Sequence, residues 1–438
     1  MNLNNNLFWA ILGRAIAIIA LLLLNSLVAK NLNIEDFAFF NLIMSIIPSF
    51  FMFLAFGQDV TSSKFLPSNK KKNLHIRNVL KIFFLILTIL SMPLIVFFND
   101  FIYFFRDNIS LFFSVIFIVL FSSILRIISD YFRATNRFKY FILFNSTRSS
   151  GGLVIWGLLL LQIFLLLFLK NFSLENIFYS YALSSFLTLL IILFIKRYSL
   201  FRLTFKNKFA FTENGNFKKF FKSSLFIASS SLLIMIKSDH DFWIVSAFGS
   251  ANELAFYAPI IKIAVLVMVP LSIFESFMPR NISNFYYNND KIILERYIRS
   301  INTYMFYSSF VFLILLLFFS KSILLILFGE KFVHLDFLLK CVILSFLPKI
   351  ICGPCGPILV LTRFEKINLL VNFIFLFLSM IIGVFLTMKF GFQGMIYTYI
   401  IGMILINITF YIIVIKKLKI NTLPYFNFLK ADFSMINK

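Results

Sequence analysis

Apolar runs of about 20 residues follow one another along almost the whole chain, and no other feature limits its fold as strongly. Twelve runs can be placed, at about 7–29, 37–57, 79–98, 111–130, 150–169, 177–195, 223–248, 254–279, 303–319, 337–361, 369–388 and 394–415. A helix of about 20 residues crosses the hydrocarbon of a bilayer. The pattern predicts an all-α integral membrane protein with about twelve transmembrane helices.

The composition agrees with this class. Hydrophobic residues make up 61% of the chain and charged residues 13%, with a mean hydropathy of +0.94. A soluble domain is about half apolar and a quarter charged. The first run is longer than the core of a signal peptide, so we expect it to be retained.

The net charge of +23 could indicate nucleic-acid binding, but the distribution of the charge along the chain argues against such binding. Of the 41 Lys and Arg residues, 30 lie in alternate loops and the C-terminal tail, seven lie in the other loops, and four lie inside spans. Positive charge is retained on the cytoplasmic side of a membrane. The count predicts that both termini are cytoplasmic and that no nucleic acid is bound.

The chain also divides near its middle. We predict an N-terminal six-helix bundle at 1–196, a basic cytoplasmic linker at 197–222, a C-terminal six-helix bundle at 223–415 and a cytoplasmic tail at 416–438. Residues 36–40 recur as 253–257, and 136–139 are echoed by 362–366. Halves that repeat in the same sense are related by an axis along the membrane normal, and transporters of this kind place their site between the halves.

The stretch 234–264 carries the strongest functional signal, because it places five polar residues in membrane-grade sequence: Lys237, Asp239, His240, Asp241 and Lys262. A charge at the bilayer centre costs roughly 2.5–3.5 kcal/mol, so such residues face a bundle interior or a wet cavity. Lys237 and Lys262 would lie about 12–16 Å inside the same membrane surface, at ~1.5 Å per residue. Lys237 and Asp241 share a helix face. The cluster is either a buried set of ion pairs that fixes helix packing or a polar transport site.

Other chemistries find little support in the sequence. Cys352 and Cys355 reproduce the four-residue redox motif of thioredoxins, which needs a βαβ context, whereas here they lie inside an apolar span. The three histidines are scattered, so we expect no metal site. No P-loop or GxGxxG is visible either, so we predict neither a cofactor nor catalytic residues.

Three segments resemble the polysaccharide (O-antigen type) flippases of the multidrug/oligosaccharidyl-lipid/polysaccharide (MOP) exporter superfamily. The first runs from Asp241 to Phe248 and on through 253–264, with Ala255 where the family usually has glycine and Lys262 where the family has Lys or Arg. The second is 327–332, which is similar to the LFG-E-x-Y outer loop. The third is 353–366 followed by 390–394. Together the likeness covers essentially the whole chain.

The resemblance implies a V-shaped pair of six-helix bundles around a cationic central cavity. It implies a substrate that is an undecaprenyl-diphosphate-linked oligosaccharide, the repeat unit of O-antigen (lipopolysaccharide), capsule or another surface polysaccharide, moved between leaflets. Four cations inside spans would then neutralise the diphosphate: Lys237, Lys262, Lys349 and Arg14. Three carboxylates are candidates for ion coupling or pairing: Asp239, Asp241 and Glu275. Lys349 either faces the substrate or pairs with Glu275, and Arg14 either lines a cavity or snorkels to the interface.

Two other functions remain open. A drug/cation antiporter of the same superfamily would use the three carboxylates as ion ligands. An integral-membrane polymerase or glycosyltransferase would carry a large outer loop, whereas the longest outer loop here, at about 320–336, is short. The preferred interpretation is a flippase of the bacterial inner membrane. Its expected partners are the bilayer, the lipid-linked oligosaccharide, and a polymerase with its chain-length proteins.

Overall fold

The structure, a computed structural model, describes residues 3–56, 86, 104–105, 108–134, 137–145, 152–195, 214–275, 278, 282, 285–286, 288 and 290–425. In these residues the chain forms helices and no strand. The α-helices, numbered in chain order, are α1 Leu3–Asn31, α2 Ile34–Ala55, α3 Ile109–Ala134, α4 Phe138–Phe144, α5 Leu153–Phe168, α6 Leu174–Ile195, α7 Asn214–Phe248, α8 Ala251–Ala264, α9 Val269–Glu275, α10 Lys291–Phe328, α11 Asp336–Leu344, α12 Leu347–Cys352, α13 Cys355–Leu361, α14 Glu365–Phe390 and α15 Phe392–Leu418. Short 3-10 helices precede α9 and α11, at Val265–Met268 and Glu330–Leu335.

The helices confirm an all-α membrane protein. Within the described residues, eight helical segments are long and apolar enough to cross a bilayer. Large side chains point outward from these helices and from the shorter α5: Phe318 is 82% exposed on α10, Phe194 81% on α6 and Phe168 85% on α5. Soluble proteins rarely expose contiguous apolar surface on this scale, so lipid must cover it. The chain is therefore a multi-pass membrane protein.

Most predicted spans coincide with described helices, but the outline of several changes. The span predicted at 223–248 is the C-terminal part of the longer α7, and the span predicted at 254–279 is divided by a 3-10 helix into α8 and α9. The third predicted span, at 79–98, lies outside the described residues apart from residue 86. The predicted span 303–319 is the apolar centre of the longer α10, because a helix continues beyond the hydrocarbon into its polar ends. The predicted span 337–361 is broken into α11, α12 and α13. Proline lies at the second position of α12 and just before α13, and the glycine between them has positive φ, which interrupts the helix.

Two compact units make up the chain. One comprises residues 1–32 and 43–236, and the other comprises 33–42 and 237–438. The first contains a small apolar cluster around Leu54, Ile86 and Ala228. The second has a larger core, built mainly by α10, α13 and α15. The linker predicted at 197–222 lies largely outside the described residues, and the predicted domain boundaries stay a prediction.

The internal repeat has a structural counterpart in the second unit. Asn33 precedes α2, and its side-chain oxygen accepts a hydrogen bond from the backbone N–H of Asp36 at 2.7 Å. Ser250 precedes α8 and accepts from the N–H of Glu253 at 3.3 Å. Both are N-cap bonds from the third helical residue. The two caps stand at the same offset as the repeated segments, so each copy of the repeat begins a helix in the same way.

Candidate functional site

Lys237 lies on α7 and reaches a neutral partner on α14. Its Nζ donates a hydrogen bond to Oδ1 of Asn372 at 2.7 Å. The amide NH₂ of Asn372 donates in turn to the carbonyl of Asn368 at 2.8 Å, which fixes the oxygen toward the lysine. An amide oxygen carries no net charge, so this bond orients the ammonium without neutralising it.

Lys349 places a second positive charge within electrostatic range of Lys237. It lies half-buried on α12, and its charge interacts with that of Lys237. Among the residues that the structure describes, neither lysine forms an ion pair with a carboxylate. Glu275, the predicted partner of Lys349, ends α9, and its side chain lies outside what is described. Two of the four predicted cations are thus brought together.

Asp241 is turned toward a different neighbour. It is buried, with 1% of its surface exposed, and its Oδ2 accepts a 2.5 Å hydrogen bond from the hydroxyl of Tyr257 on α8. Tyr399 on α15 interacts electrostatically with the same carboxylate. Lys237 and Asp241 therefore form no ion pair with each other in the structure. The two residues share a face of α7, but each reaches a different adjacent helix.

His240 and Asp239 complete the polar stretch, and both are buried. Nδ1 of His240 lies 3.0 Å from the carbonyl of Lys237, and Nε2 lies 2.7 Å from the hydroxyl of Ser379 on α14. A carbonyl only accepts, so Nδ1 carries a proton, and the Ser379 hydroxyl that faces Nε2 also donates to the carbonyl of Leu376 at 3.0 Å. The Ser238 hydroxyl lies 3.4 Å from a carboxylate oxygen of Asp239. This network ties α7 to α14 immediately beside Lys237.

Lys262 on α8 is held in a similar way by α2. Its ammonium hydrogen-bonds to the side-chain oxygen of Asn41 and lies 5.9 Å from the centre of the Phe40 ring. Asn41 is buried, and its NH₂ donates to the carbonyl of Phe37 at 2.7 Å. Both lysines therefore meet an asparagine whose amide is oriented by the carbonyl four residues earlier on its own helix. A sequence search for polar residues inside the apolar runs would have found both asparagines.

Arg14 lies elsewhere in the chain. It is half-buried on α1, which belongs to the first unit, whereas the three lysines belong to the second. Its predicted role stays a prediction.

Residues from each of the three segments that carry the family resemblance meet near the start of α8 in the second unit. Glu253 and Ser250 form a reciprocal capping box at the start of α8. Gly391 has a φ of +60°, a conformation that favours glycine, and a Cβ there would also displace the carboxylate of Glu253. Next to it, Phe332 contacts the rings of Phe37 and Phe256 at centroid distances of 5.9 Å. These residues fix where α8 begins and thus the position of Lys262.

The two cysteines of the redox-like motif lie at the break between α12 and α13. Both are free thiols, and Sγ of Cys355 donates to the carbonyl of Cys352 at 3.2 Å. The Thr422 hydroxyl donates to that carbonyl at 2.7 Å. Gly353, between the cysteines, has a φ of +75°, and a Cβ there would meet the side chain of Asn302 at 2.5 Å. The motif is therefore a packed helix break in a helical environment.

A comparison with known families matches residues 3–280 to the model of the polysaccharide biosynthesis protein family. The chain belongs to this polysaccharide biosynthesis family. Among solved structures it resembles an inward-facing multidrug resistance MATE family transporter of the MOP superfamily, with a TM-score of 0.70, 12% identity, and coverage of 93% of this chain and 94% of that chain. No curated protein sequence matches it significantly.

Two further solved structures place this family member in the same fold. Lipid II flippase MurJ, in an inward closed conformation, has a TM-score of 0.68 at 15% identity and covers 98% of this chain and 90% of its own. A MOP superfamily transporter from Pyrococcus furiosus, described as having reversed polarity of its binding pocket, has a TM-score of 0.67 at 12% identity, with coverage of 94% and 95%. At these identities the likeness establishes a MOP transporter fold for the polysaccharide biosynthesis protein.

Proposed function

We propose that this protein is a flippase that moves an undecaprenyl-diphosphate-linked oligosaccharide from the cytoplasmic to the periplasmic leaflet of the bacterial inner membrane by alternating access. The cargo would be a repeat unit of O-antigen, capsule or another surface polysaccharide. Membership of a polysaccharide biosynthesis family supports a sugar cargo. The likeness to a lipid II flippase supports a lipid-linked one.

The observation that carries the proposal is the way Lys237 is held. A lysine inside a membrane helix costs roughly 2.5–3.5 kcal/mol, and a second cation nearby, Lys349, adds repulsion. A purely structural cluster would cancel these charges with carboxylates. Here Lys237 meets the neutral oxygen of Asn372, and the carboxylate of Asp241 is engaged by Tyr257. The positive charge of Lys237 is therefore available to an anionic ligand, and a diphosphate would supply the negative charge.

In this proposal Lys237, Lys262, Lys349 and Arg14 contact the diphosphate and acidic sugars. The polyprenyl tail stays in the lipid, so the protein has to shelter only the polar head group. Asp239, Asp241 and Glu275 serve ion coupling or pairing. Both termini are cytoplasmic, and a polymerase with its chain-length proteins would take over the cargo. No covalent chemistry is needed.

The drug/cation antiporter is the second candidate, because a multidrug transporter shares the fold and Asp241 is a buried carboxylate. The two functions need opposite charges at the cargo site. Lys237→Gln in cells should abolish surface polysaccharide while the protein level in the membrane stays normal. Asp241→Asn should retain more surface polysaccharide than Lys237→Gln does. Lys389→Gln, an exposed lysine of the same unit, is the matched control. Unchanged surface polysaccharide in both variants, together with ion-coupled efflux of a cationic drug that is lost in Asp241→Asn, would favour the antiporter.

A further inference from the structure

A cavity of about 380 Å³ lies in the second unit among three chain segments that each contribute one cation. Lys291 is the first residue of α10, Arg363 follows the end of α13, and Lys417 lies in the last turn of α15. The cavity takes no part in the site described above. The charge pattern of the sequence assigns all three segments to the cytoplasmic side, and the structure gathers them around one space.

The lining suits an amphipathic anion. Among the described residues that line the cavity, none is acidic. Leu294, Leu418 and Ile420 supply buried apolar surface next to the cations. The free backbone N–H groups at the start of α10 add partial positive charge. A phosphate would meet the cations, and an attached hydrocarbon chain would meet the apolar floor.

Helix-dipole stabilisation does not explain this set of charges. A cation is favourable near a helix C-terminus, where Lys417 and Arg363 lie, but unfavourable at an N-terminus, where Lys291 lies. Arg363 also has a φ of +65°, a left-handed conformation that favours glycine. The N–H of Phe364 bonds to the carbonyl of Leu359 at 2.8 Å across this turn. The helix dipole thus disfavours a lysine at position 291, and the backbone conformation disfavours an arginine at position 363.

We propose that this cavity binds the head group of an anionic phospholipid of the cytoplasmic leaflet, with its phosphate between Lys291, Arg363 and Lys417. Arginine suits the fork geometry of a phosphate, and basic pockets on the cytoplasmic side of membrane proteins recognise such head groups. The bound lipid would join the ends of α10, α13 and α15. Because α13 and α15 also belong to the core of the second unit, the lipid would stabilise that unit.

The test uses the full chain purified in a neutral detergent, with dioctanoyl phosphatidylglycerol as the probe. Thermal unfolding is followed over a lipid titration, with dioctanoyl phosphatidylcholine as the neutral match and inorganic pyrophosphate as the free phosphate. We expect phosphatidylglycerol alone to raise the Tm in a saturable way. Each lost cation should weaken the apparent affinity roughly fivefold, and the triple variant Lys291→Gln/Arg363→Gln/Lys417→Gln about 100-fold.

The matched control is Arg296→Gln/Lys366→Gln/Lys416→Gln. It removes the same charge from the same three segments, at exposed positions that do not line the cavity. This control variant should keep its affinity for the lipid within about threefold. If a triple variant does not fold, the single variants Lys417→Gln and Lys416→Gln replace the two sets, and Lys416→Gln should then keep its affinity within about threefold. Equal weakening in both sets, or none in the cavity set, would overturn the site. Equal protection by pyrophosphate would overturn the assignment to a lipid.

Discussion

Asn372→Asp converts the neutral partner of Lys237 into a carboxylate of the same shape. The two charges would stand 2.7 Å apart, the present distance from nitrogen to oxygen. At an effective dielectric constant of 20, their attraction is about 6 kcal/mol. Removing the new carboxylate from water costs several kcal/mol. The two effects nearly offset each other, so we expect the free energy of unfolding to change by no more than about 2 kcal/mol.

Transport should respond far more strongly. A phosphate about 4 Å from an ammonium gains about 4 kcal/mol at the same dielectric constant. An aspartate at position 372 cancels this attraction, which corresponds to roughly a 100- to 1,000-fold loss. Lys237→Met should give the same loss. The assay is surface polysaccharide per molecule of membrane protein, with thermal stability measured on the purified variant.

Asn407→Asp is the matched control for this prediction. Asn407 is likewise an asparagine on a helix of the second unit, buried where Asn372 is half-buried, and its NH₂ donates to the carbonyl of Met403 at 2.7 Å. No described lysine contacts it, so its aspartate should lower stability without selectively lowering transport per molecule. Normal export by a stable Asn372→Asp protein would refute the reasoning, because the charge on Lys237 would then be unnecessary.

Three further predictions follow from the structure and the charge pattern. A reporter active only in the periplasm should give signal after Asn108, Asn252 and Glu330 and none after Asn73, Asn214 and Asn289; signal at Asn214 would overturn the two-half topology. Cys352→Ser with Cys355→Ser should leave export unchanged, since a serine at 355 still donates to the carbonyl of residue 352; loss of export at normal protein level would show that the thiols matter. Gly391→Ala should lower the free energy of unfolding by about 2 kcal/mol or more, because of φ strain and the contact with Glu253. Gly402→Ala, which has open space around it, should be neutral or stabilising in the same unfolding assay. Equal effects of the two substitutions would contradict the packing argument.

The sequence predicts the helices because an apolar run of sufficient length has few alternatives in a membrane. It also predicts the end of one helix near Phe248 and the start of the next near Leu254, and the structure breaks the chain at 249–250. The break within 337–361 was missed, although its prolines and Gly353 signalled it. Hydropathy averages over such residues and reports only that the stretch is apolar.

The sequence likewise predicted only part of the candidate site: the polar residues of α7 and α8, but not their partners on other helices. Spacing along one helix identifies neighbours one turn apart, so it suggested Lys237 with Asp241. The real partners come from other helices, Asn372 at 135 residues from Lys237 and Tyr257 at 16 residues from Asp241. Residue type alone does not show which helices are adjacent. The spacing of Asn372 and Ser379, two turns apart on α14, was a usable signal of a polar face.

The most direct test of the central claim is a flipping assay with the purified protein in vesicles. A labelled undecaprenyl-diphosphate-linked oligosaccharide is placed in both leaflets, and the fraction exposed outside is followed with an impermeant enzyme that cleaves the sugar. We expect rapid exchange with the wild-type chain and exchange at the protein-free rate with Lys237→Met. Exchange of a cationic drug against ions, with no movement of the lipid-linked sugar, would contradict the central claim.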